Sequence, residues 1–467
     1  MTNYKPDLDT FINSIDKRSM KEKVIAVFDI GKTNKKLLLF DHNLHCKSET
    51  EKKFAQVLDD DGFECDDIEN IENWIKTTVL DLVHSEIFDL LAVNFTTYGA
   101  TLVYLDSNGK RLTPVYNYLK PLDEKISEDL YKSNGGKDEF CRRTASPALG
   151  MLNSGIQLFW IKSTKPDVYA RIKTILHFPQ YLSYILTGKI FSEHTSLGCH
   201  TALWDFDNMN YHPWLKNHGL KLHDPVSIDT SSEVVIGGKK LKVGIGIHDS
   251  SSSLVPYFSG SKGSFILIST GTWCINMNPF NTEKLTADQL DNDCLSYMSI
   301  TGQPVKSSRL FLGHLHETAV KQITKHFNKN LSYYKEIIFD MQLSDYLKDK
   351  FKNRRIFLIE GRYSRDLNAQ INMSHFSSFE ESYHQLMNEL CNLTVEAINL
   401  VLPVKDDTKN LYITGGFSKN DLFLNLITNA YPLKKVYTSQ IANASALGAA
   451  LIILDPKPLL DLGLLST

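Results

Sequence analysis

Two glycine turns in this 467-residue chain carry donor-rich side chains directly behind apolar runs of strand length. Asp29-Ile30-Gly31-Lys32-Thr33-Asn34 follows residues 24–28 (VIAVF), and Ser269-Thr270-Gly271-Thr272 follows residues 265–268 (FILI). A glycine lets backbone N–H groups approach an anion closely, and hydroxyl, amide and ammonium neighbours add further donors. Lys32, Thr33 and Asn34 supply them in the first turn, and Thr270 and Thr272 in the second, which holds no acid to repel an anion. The Asp29 carboxylate has the chemistry to hold Mg²⁺. Two such turns could pinch one phosphate chain from opposite sides; a plain hairpin with a solvated tip is the alternative for each. A P-loop is excluded. That motif needs a glycine five residues before its Gly-Lys pair, where Ala26 stands, and a helix afterwards, where residues 37–40 (LLLF) read as a strand.

The strongest candidate for proton chemistry is Asp249, at the end of the run GIGIH and ahead of four consecutive serines. As a general base it would take the proton from an acceptor hydroxyl during phosphoryl transfer; as a structural residue it would cap the following helix. Gly415-Gly416 ends a strand-like run before a helical one and suits either a flat ligand such as a nucleoside base or tight packing. His314-Leu315-His316-Glu317 has some metal-ligand character but lacks HExxH spacing, so core or surface histidines are the better reading.

The elements that must position these residues alternate between strand and helix. Strands are expected at 24–28, 37–40, 91–95 and 101–105, with a Ser107-Asn108-Gly109 hairpin turn, then at 234–236, 241–247, 264–268, 273–276 and 411–414. Helices are expected over 67–83, continuously over 154–186 with a stop at Gly188, over 383–401 before Pro403, over 421–427, and as a tightly packed segment over 444–453. Residues 1–20 read as a polar, short helical extension with no function assigned. The strand–glycine turn–strand device occurs twice, about half a chain length apart, which points to duplicated halves facing one another across a cleft; two unrelated hairpins are the alternative. The class is α/β.

Composition narrows the setting. Lys and Arg number 51 against 54 Asp and Glu, a net charge of −3 that gives no electrostatic reason to expect a nucleic-acid or membrane-surface partner. A 42% hydrophobic share excludes wholesale disorder and the length predicts two or three domains. The longest apolar run, 444–454, falls short of the roughly 18 residues a membrane span needs, and no secretory h-region is visible at the N-terminus. Seven dispersed cysteines with no CxxC pair read as reduced thiols of a cytoplasmic protein.

Taken in order over residues 24–455, these segments resemble the FGGY family of carbohydrate kinases, within the actin/hexokinase/Hsp70 ATPase superfamily. The first phosphate turn is similar to residues 29–34, the sugar-side hairpin to Thr97-Tyr98-Gly99-Ala100 and 105–110, and a helix-and-stop to 181–188. The catalytic segment is similar to Gly246-Ile247-His248-Asp249, and the second phosphate turn to Ser269-Thr270-Gly271-Thr272-Trp273. The adenosine motif is similar to Gly415-Gly416-Phe417-Ser418-Lys419-Asn420, and the closing helix to 444–450. Three departures stand out: Gln157 where the family usually has Lys, Phe417 in place of a third glycine, and Asn420 and Asn425 for a more typical Ser and Gln.

The resemblance implies two ribonuclease-H-like (actin-like ATPase) domains with an ATP/sugar cleft between them. After the 1–20 extension come a sugar-binding domain over 21–247 and a nucleotide-binding domain over 248–467. It implies ATP-dependent phosphorylation of a small sugar, a ketose such as a pentulose or deoxyhexulose, with Asp249 as base and Asp29 positioning Mg²⁺. Gly31, Lys32, Thr33, Asn34, Thr270, Gly271 and Thr272 would hold the β- and γ-phosphates, and Gly415, Gly416 and Asn420 the adenosine. Thr97, Tyr98 and Asn117 would face the sugar together with Asp249, and Tyr116 and Tyr118 could pack a sugar face. The expected partners are the sugar and ATP, with no nucleic acid and no membrane, and a homodimer as the open oligomeric alternative. A catalytically silent sugar or nucleotide sensor and a protein-partnered actin-like ATPase are the rival functions.

Overall fold

The structure, a computed structural model, describes residues 21–352, 354–357, 372–458 and 460–466; the expected N-terminal extension lies outside them. Two seven-stranded sheets organise the chain, each built from one half. The first uses β1 (Glu22–Ile30), β2 (Lys35–Phe40), β3 (Cys46–Lys52), β4 (Phe88–Thr97), β5 (Ser231–Ile236), β6 (Lys239–Gly244) and β7 (Ile247–His248) in the order β5-β6-β4-β1-β2-β3, with β7 on β4. The second uses β8 (Phe265–Thr270), β9 (Cys274–Asn278), β10 (Cys294–Met298), β11 (Pro304–Leu310), β12 (Asn410–Gly415), β13 (Lys435–Thr438) and β14 (Leu465–Ser466), in the order β10-β11-β9-β8-β12-β13-β14.

The repeat expected from the two glycine turns is present at the level of pairing. β1 pairs antiparallel with β2 across the Gly31 turn and parallel with β4. β8 pairs antiparallel with β9 across the Gly271 turn and parallel with β12. Residues 24–28 of β1 are buried on both faces, as a central strand covered by helices on both sides requires. Parallel neighbours also fix where function can sit, because the carboxyl ends of such strands open a crevice. Register places Ile30 and His248 on either side of Thr97 at that end of the first sheet, and Thr270 beside Gly415 at that end of the second.

The helices follow their apolar faces. α1 (Ile68–Val83) starts where the Asp67 side chain accepts the Asn70 N–H, and buries Ile68, Ile71, Ile75 and Val79 against the first sheet. The continuous helix expected over 154–186 is instead α2 (Ser154–Thr164), a short helix started by Pro166, a strand at Thr174–His177, and α3 (Phe178–Thr187) ending on a left-handed Gly188. Proline excludes the preceding residue from helical geometry, and the strand gains a partner only in three dimensions, namely residues 102–105. The remaining helices that shape the site are α4 (Asp249–Gly260), α5 (Leu312–His326), α6 (Phe379–Asn399), α7 (Asp421–Ala430) and α8 (Ala444–Ile453).

α4 and α8 lie together between the two sheets. On one side Val255 and the buried residues of α8 share a core with Ile25, Val27 and Ile247 of the first sheet; on the other, Leu254 and Tyr257 pack with Phe265, Leu267 and Tyr412 of the second. A Cβ on Gly448 would stand 2.0 Å from the Ser252 carbonyl oxygen, so only glycine permits this helix spacing. Ser252 Oγ donates to the Ser445 carbonyl at 2.6 Å, and Asn94 of β4 donates to the Ala449 carbonyl at 2.8 Å. The C-terminal helix thus ties the second half of the chain back onto the first sheet.

Candidate active site

Asp249 is the first residue of α4, and its carboxylate is held by one oxygen. Oδ1 accepts the Ser250 N–H at 2.6 Å and the Ser250 hydroxyl at 3.3 Å, and lies 3.2 Å from Nε2 of His248. Every one of these contacts is to Oδ1, and none of them engages Oδ2. The capping role offered by the sequence is not the one realised, since His248 occupies the cap position. The side chain retains 34% of its exposure, yet protein crowds the carboxylate closely enough that burial pushes its pKa up to about 6. His248 itself is buried and pushed down to about 3, so it is neutral at physiological pH.

The backbone beneath Asp249 is locked from behind. The buried Glu193 carboxylate accepts the N–H groups of Thr195 and Ser196 at 2.6 and 2.7 Å and the Thr195 hydroxyl at 2.9 Å. Thr195 Oγ1 in turn accepts the His248 N–H at 3.1 Å. Gln180 donates to the Gly246 carbonyl at 3.1 Å. Cys199 Sγ lies 3.0 Å from His248 Nε2, and Gly99 packs so tightly here that a Cβ would meet this sulfur at 2.4 Å. Sequence reading missed His248, Glu193, Thr195 and Cys199. Glu193 caps the short helix that follows it, but Glu is not one of the usual capping residues, and nothing in the sequence says which loop the threonine will grip.

Asp29 lies near the end of β1, close enough to Asp249 to feel its charge. Its Oδ2 accepts the Ser445 hydroxyl of α8 at 2.9 Å, and its pKa is pushed up to about 6 by burial first and by the Asp249 charge second. The two acids expected to do chemistry therefore sense one another directly. The donor set also suits a hard cation, because a divalent ion relieves two crowded carboxylates.

The first turn divides its residues. Gly31 N–H donates to the Asn34 carbonyl at 2.9 Å, closing the turn, and Thr33 and Asn34 are exposed at its tip. Lys32 instead points at the buried Asp66, 3.2 Å from Oδ2, with its ammonium 5.4 Å from each of the Tyr98 and Tyr118 ring centres. Asp66 also takes the Lys35 ammonium at 2.9 Å and the Tyr98 hydroxyl at 2.6 Å. Tyr118 has its pKa raised by burial and then by the charges of Asp249 and Asp66.

The other sugar-side candidates are less free. Thr97 is buried and donates to the Tyr98 carbonyl at 2.8 Å. Asn117 is buried, donates to the Glu64 carbonyl at 2.9 Å and accepts the Leu119 N–H at 3.0 Å, so its amide holds loops together. Tyr116 faces the interior against Trp160. Gln157 is buried and donates to the carbonyls of Ala100 and Met151 at 3.1 and 3.2 Å.

In the second half, Thr270 is a clasp. Its buried hydroxyl donates to the Thr414 carbonyl and accepts the Phe417 N–H at 3.0 Å, joining the β8 end to the glycine pair. Gly271 and Thr272 are exposed. Gly415 has φ +86° and a Cβ there would stand 1.7 Å from the Thr270 carbonyl oxygen, whereas a Cβ on Gly416 would meet nothing within 4 Å. Gly271, Gly416, Phe417, Asn420, His316 and Tyr334 line a cavity of about 450 Å³. Asn420 caps α7 by accepting the Phe423 N–H at 3.0 Å and donates to Tyr383 Oη at 2.8 Å, which lies 3.0 Å from His316 Nε2. His316 is therefore a core histidine, and His314 stacks on Phe311. Among the described residues the only compact group of three potential metal ligands is Asp59-Asp60-Asp61, which is ion-paired to Lys120 and Lys165. No helix of the described residues is long and apolar enough to cross a membrane.

Comparison with known proteins agrees with this layout. Residues 24–223 match the FGGY family of carbohydrate kinases, N-terminal domain, and residues 262–340 match the carbohydrate kinase FGGY, C-terminal domain. The chain is 22% identical to a rhamnulokinase of Oceanobacillus iheyensis over 85% of each chain, and 20% identical to an L-fuculokinase of Haemophilus influenzae over 92% of this chain and 93% of that one. Its fold matches a carbohydrate kinase from Novosphingobium aromaticivorans with a TM-score of 0.77 at 24% identity, covering 96% of this chain and 94% of that one. The fold of a xylulose kinase from Lactobacillus acidophilus matches with a TM-score of 0.72 at 16% identity, over 92% of this chain and 89% of the other. With both of the family's domains matched in order along an α/β chain of two sheet-based domains, this protein belongs to the FGGY family of carbohydrate kinases.

Proposed function

We propose that this sugar kinase transfers the γ-phosphoryl group of ATP to a hydroxyl of a small ketose, a pentulose or a deoxyhexulose. The observation that carries the reading is the Asp249 carboxylate: Oδ1 is immobilised by Ser250 and His248, Oδ2 takes no part in those contacts, and the pKa stands at about 6. A base poised there is ionised at pH 7 and still basic enough to take a proton as the hydroxyl attacks phosphorus. The relatives named rhamnulokinase and L-fuculokinase support a ketose acceptor.

In this reading residues 21–247 form the sugar-binding domain and 248–467 the nucleotide-binding domain. The base of ATP enters the cavity beside Gly416 and Phe417, where the absence of a Cβ leaves open space. Backbone groups of Gly31 to Asn34 and of Gly271 and Thr272 hold the phosphates, preorganised dipoles that stabilise charge on the phosphoryl oxygens. Asp29 would hold Mg²⁺, which neutralises phosphate charge when bound. All seven cysteines are free thiols, which supports a reducing, cytoplasmic setting.

A coupled ADP-release screen over ketoses, aldoses and polyols tests the proposal. Sugar-dependent ADP release with at least one ketose is the expected result. ATP hydrolysis indifferent to every sugar would instead favour the actin-like ATPase, and sugar binding without turnover the silent sensor.

A further inference from the structure

The family resemblance groups Lys32 with the phosphate-binding turn, but the geometry assigns it elsewhere. Its ammonium lies 3.2 Å from Asp66 and 5.4 Å from the centres of both Tyr98 and Tyr118. One buried carboxylate, Asp66, faces two ammonium groups, Lys32 at 3.2 Å and Lys35 at 2.9 Å. Lys35 is 5% exposed and donates its remaining contact to the Lys32 carbonyl at 2.9 Å, so it is spent inside the protein. Lys32 keeps 18% of its exposure, and Asp66 takes one of its three N–H groups. A partly exposed ammonium with two donors not taken by Asp66 can give them to oxygen acceptors of a ligand.

The neighbouring rings point to the ligand. Tyr98 follows Thr97, which lies beside His248 in the sheet register, so the ring under Lys32 adjoins the segment that carries the base, and Tyr118 packs edge-on against Tyr98 with 5.8 Å between ring centres. We propose that Lys32 is a specificity-determining contact to the acceptor sugar: with the reacting hydroxyl at Asp249 and the carbon chain lying along Tyr118, its ammonium donates to a hydroxyl or carbonyl oxygen at the acceptor's far end. This rests on the kinase reading above and deepens it, moving Lys32 from the nucleotide to the sugar.

The test is Lys32→Met in the full chain, with sugar and nucleotide affinities measured separately. Methionine keeps the unbranched stem and removes the ammonium, and Asp66 retains Lys35 and the Tyr98 hydroxyl, so the fold is not deprived of its ion pair. The expected outcome is a rise in sugar KM, and in sugar Kd without nucleotide, of about 10–100-fold, the loss of a charge-assisted hydrogen bond, with the KM for ATP and the Kd for ADP within about 3-fold of wild type. Lys32→Arg, which keeps the charge and changes its shape, is expected to fall between the two and serves if the Met variant does not fold. Loss of ATP or ADP affinity with the sugar constants intact, loss of both, or no change in either overturns the assignment of Lys32 while leaving the kinase reading in place. A wild-type chain that turns over no sugar overturns both.

Discussion

Nε2 of His248 stands 3.2 Å from Oδ1 of Asp249 and 3.0 Å from the sulfur of Cys199, while Nδ1 of the same ring is buried without a partner among the described residues. Burying a bare acceptor nitrogen costs less than burying an unpaired N–H, so the proton belongs on Nε2 and is shared with the Asp249 carboxylate. This neutral ring holds Oδ1 without neutralising the acid, and takes no part in binding Oδ2.

Asp249→Asn should lower kcat by about 10²–10⁴-fold, the range for loss of a general base, with a much smaller change in sugar KM. Steady-state kinetics with the sugar identified in the screen measures the split. A variant with undiminished turnover removes Asp249 from the chemistry.

The pH profile follows from the same carboxylate. Its pKa of about 6 means the base is lost to protonation as pH falls, so kcat/KM should decline below about pH 6 and level off above it. His248, pushed down to about 3, remains neutral throughout that range and does not supply the limb. Asp29 titrates in the same window and couples to Asp249, so the limb reports the pair.

Raising a carboxylate pKa from 3.8 to about 6 makes the folded state bind protons more tightly than the unfolded state. The stabilisation this gives is full below pH 4 and is lost as pH rises through 6, so at pH 7 the ionised pair weighs against folding. Asp29→Asn or Asp249→Asn should therefore raise Tm at pH 7, by about 2 °C once solvent screening of these partly exposed groups is allowed for. Scanning calorimetry at pH 7 and pH 4 should show the gain shrink at the lower pH.

Thr195→Val removes the oxygen that receives the His248 N–H and frees the Glu193 carboxylate of a donor. Turnover should fall about 10-fold or more with little change in nucleotide affinity, and Thr195→Ser should restore it, because only the hydroxyl is needed. If Ser and Val behave alike, the clamp on the catalytic loop is not what positions Asp249.

The glycine pair offers a contrast of mechanisms. Gly415→Ala forces a Cβ to 1.7 Å from the Thr270 carbonyl at φ +86° and should destabilise the chain by about 3 kcal/mol or more. Gly416→Ala meets open space, so Tm should hold while the KM for ATP rises, the methyl occupying room meant for the nucleotide. Denaturation and ATP kinetics on the two variants separate these outcomes.

Residue type and order alone determined the α/β class, the doubled strand–turn–strand device, the family, and the segments bearing Asp29, Asp249 and the glycine pair. Those signals are local: apolar runs of strand length, glycine where backbone must approach closely, acids beside small polar residues. The 154–186 segment was misread as one helix because the strand inside it is stabilised by residues 102–105, a partner some 70 positions away. For the same reason only the tertiary structure could spend the Thr270 hydroxyl on Phe417 and Thr414, bury Asn117 against Glu64, and set Lys32 between two tyrosines and Asp66. A hydroxyl or an ammonium carries its donors in the sequence, but which acceptor it meets is decided when distant strands bring one within reach.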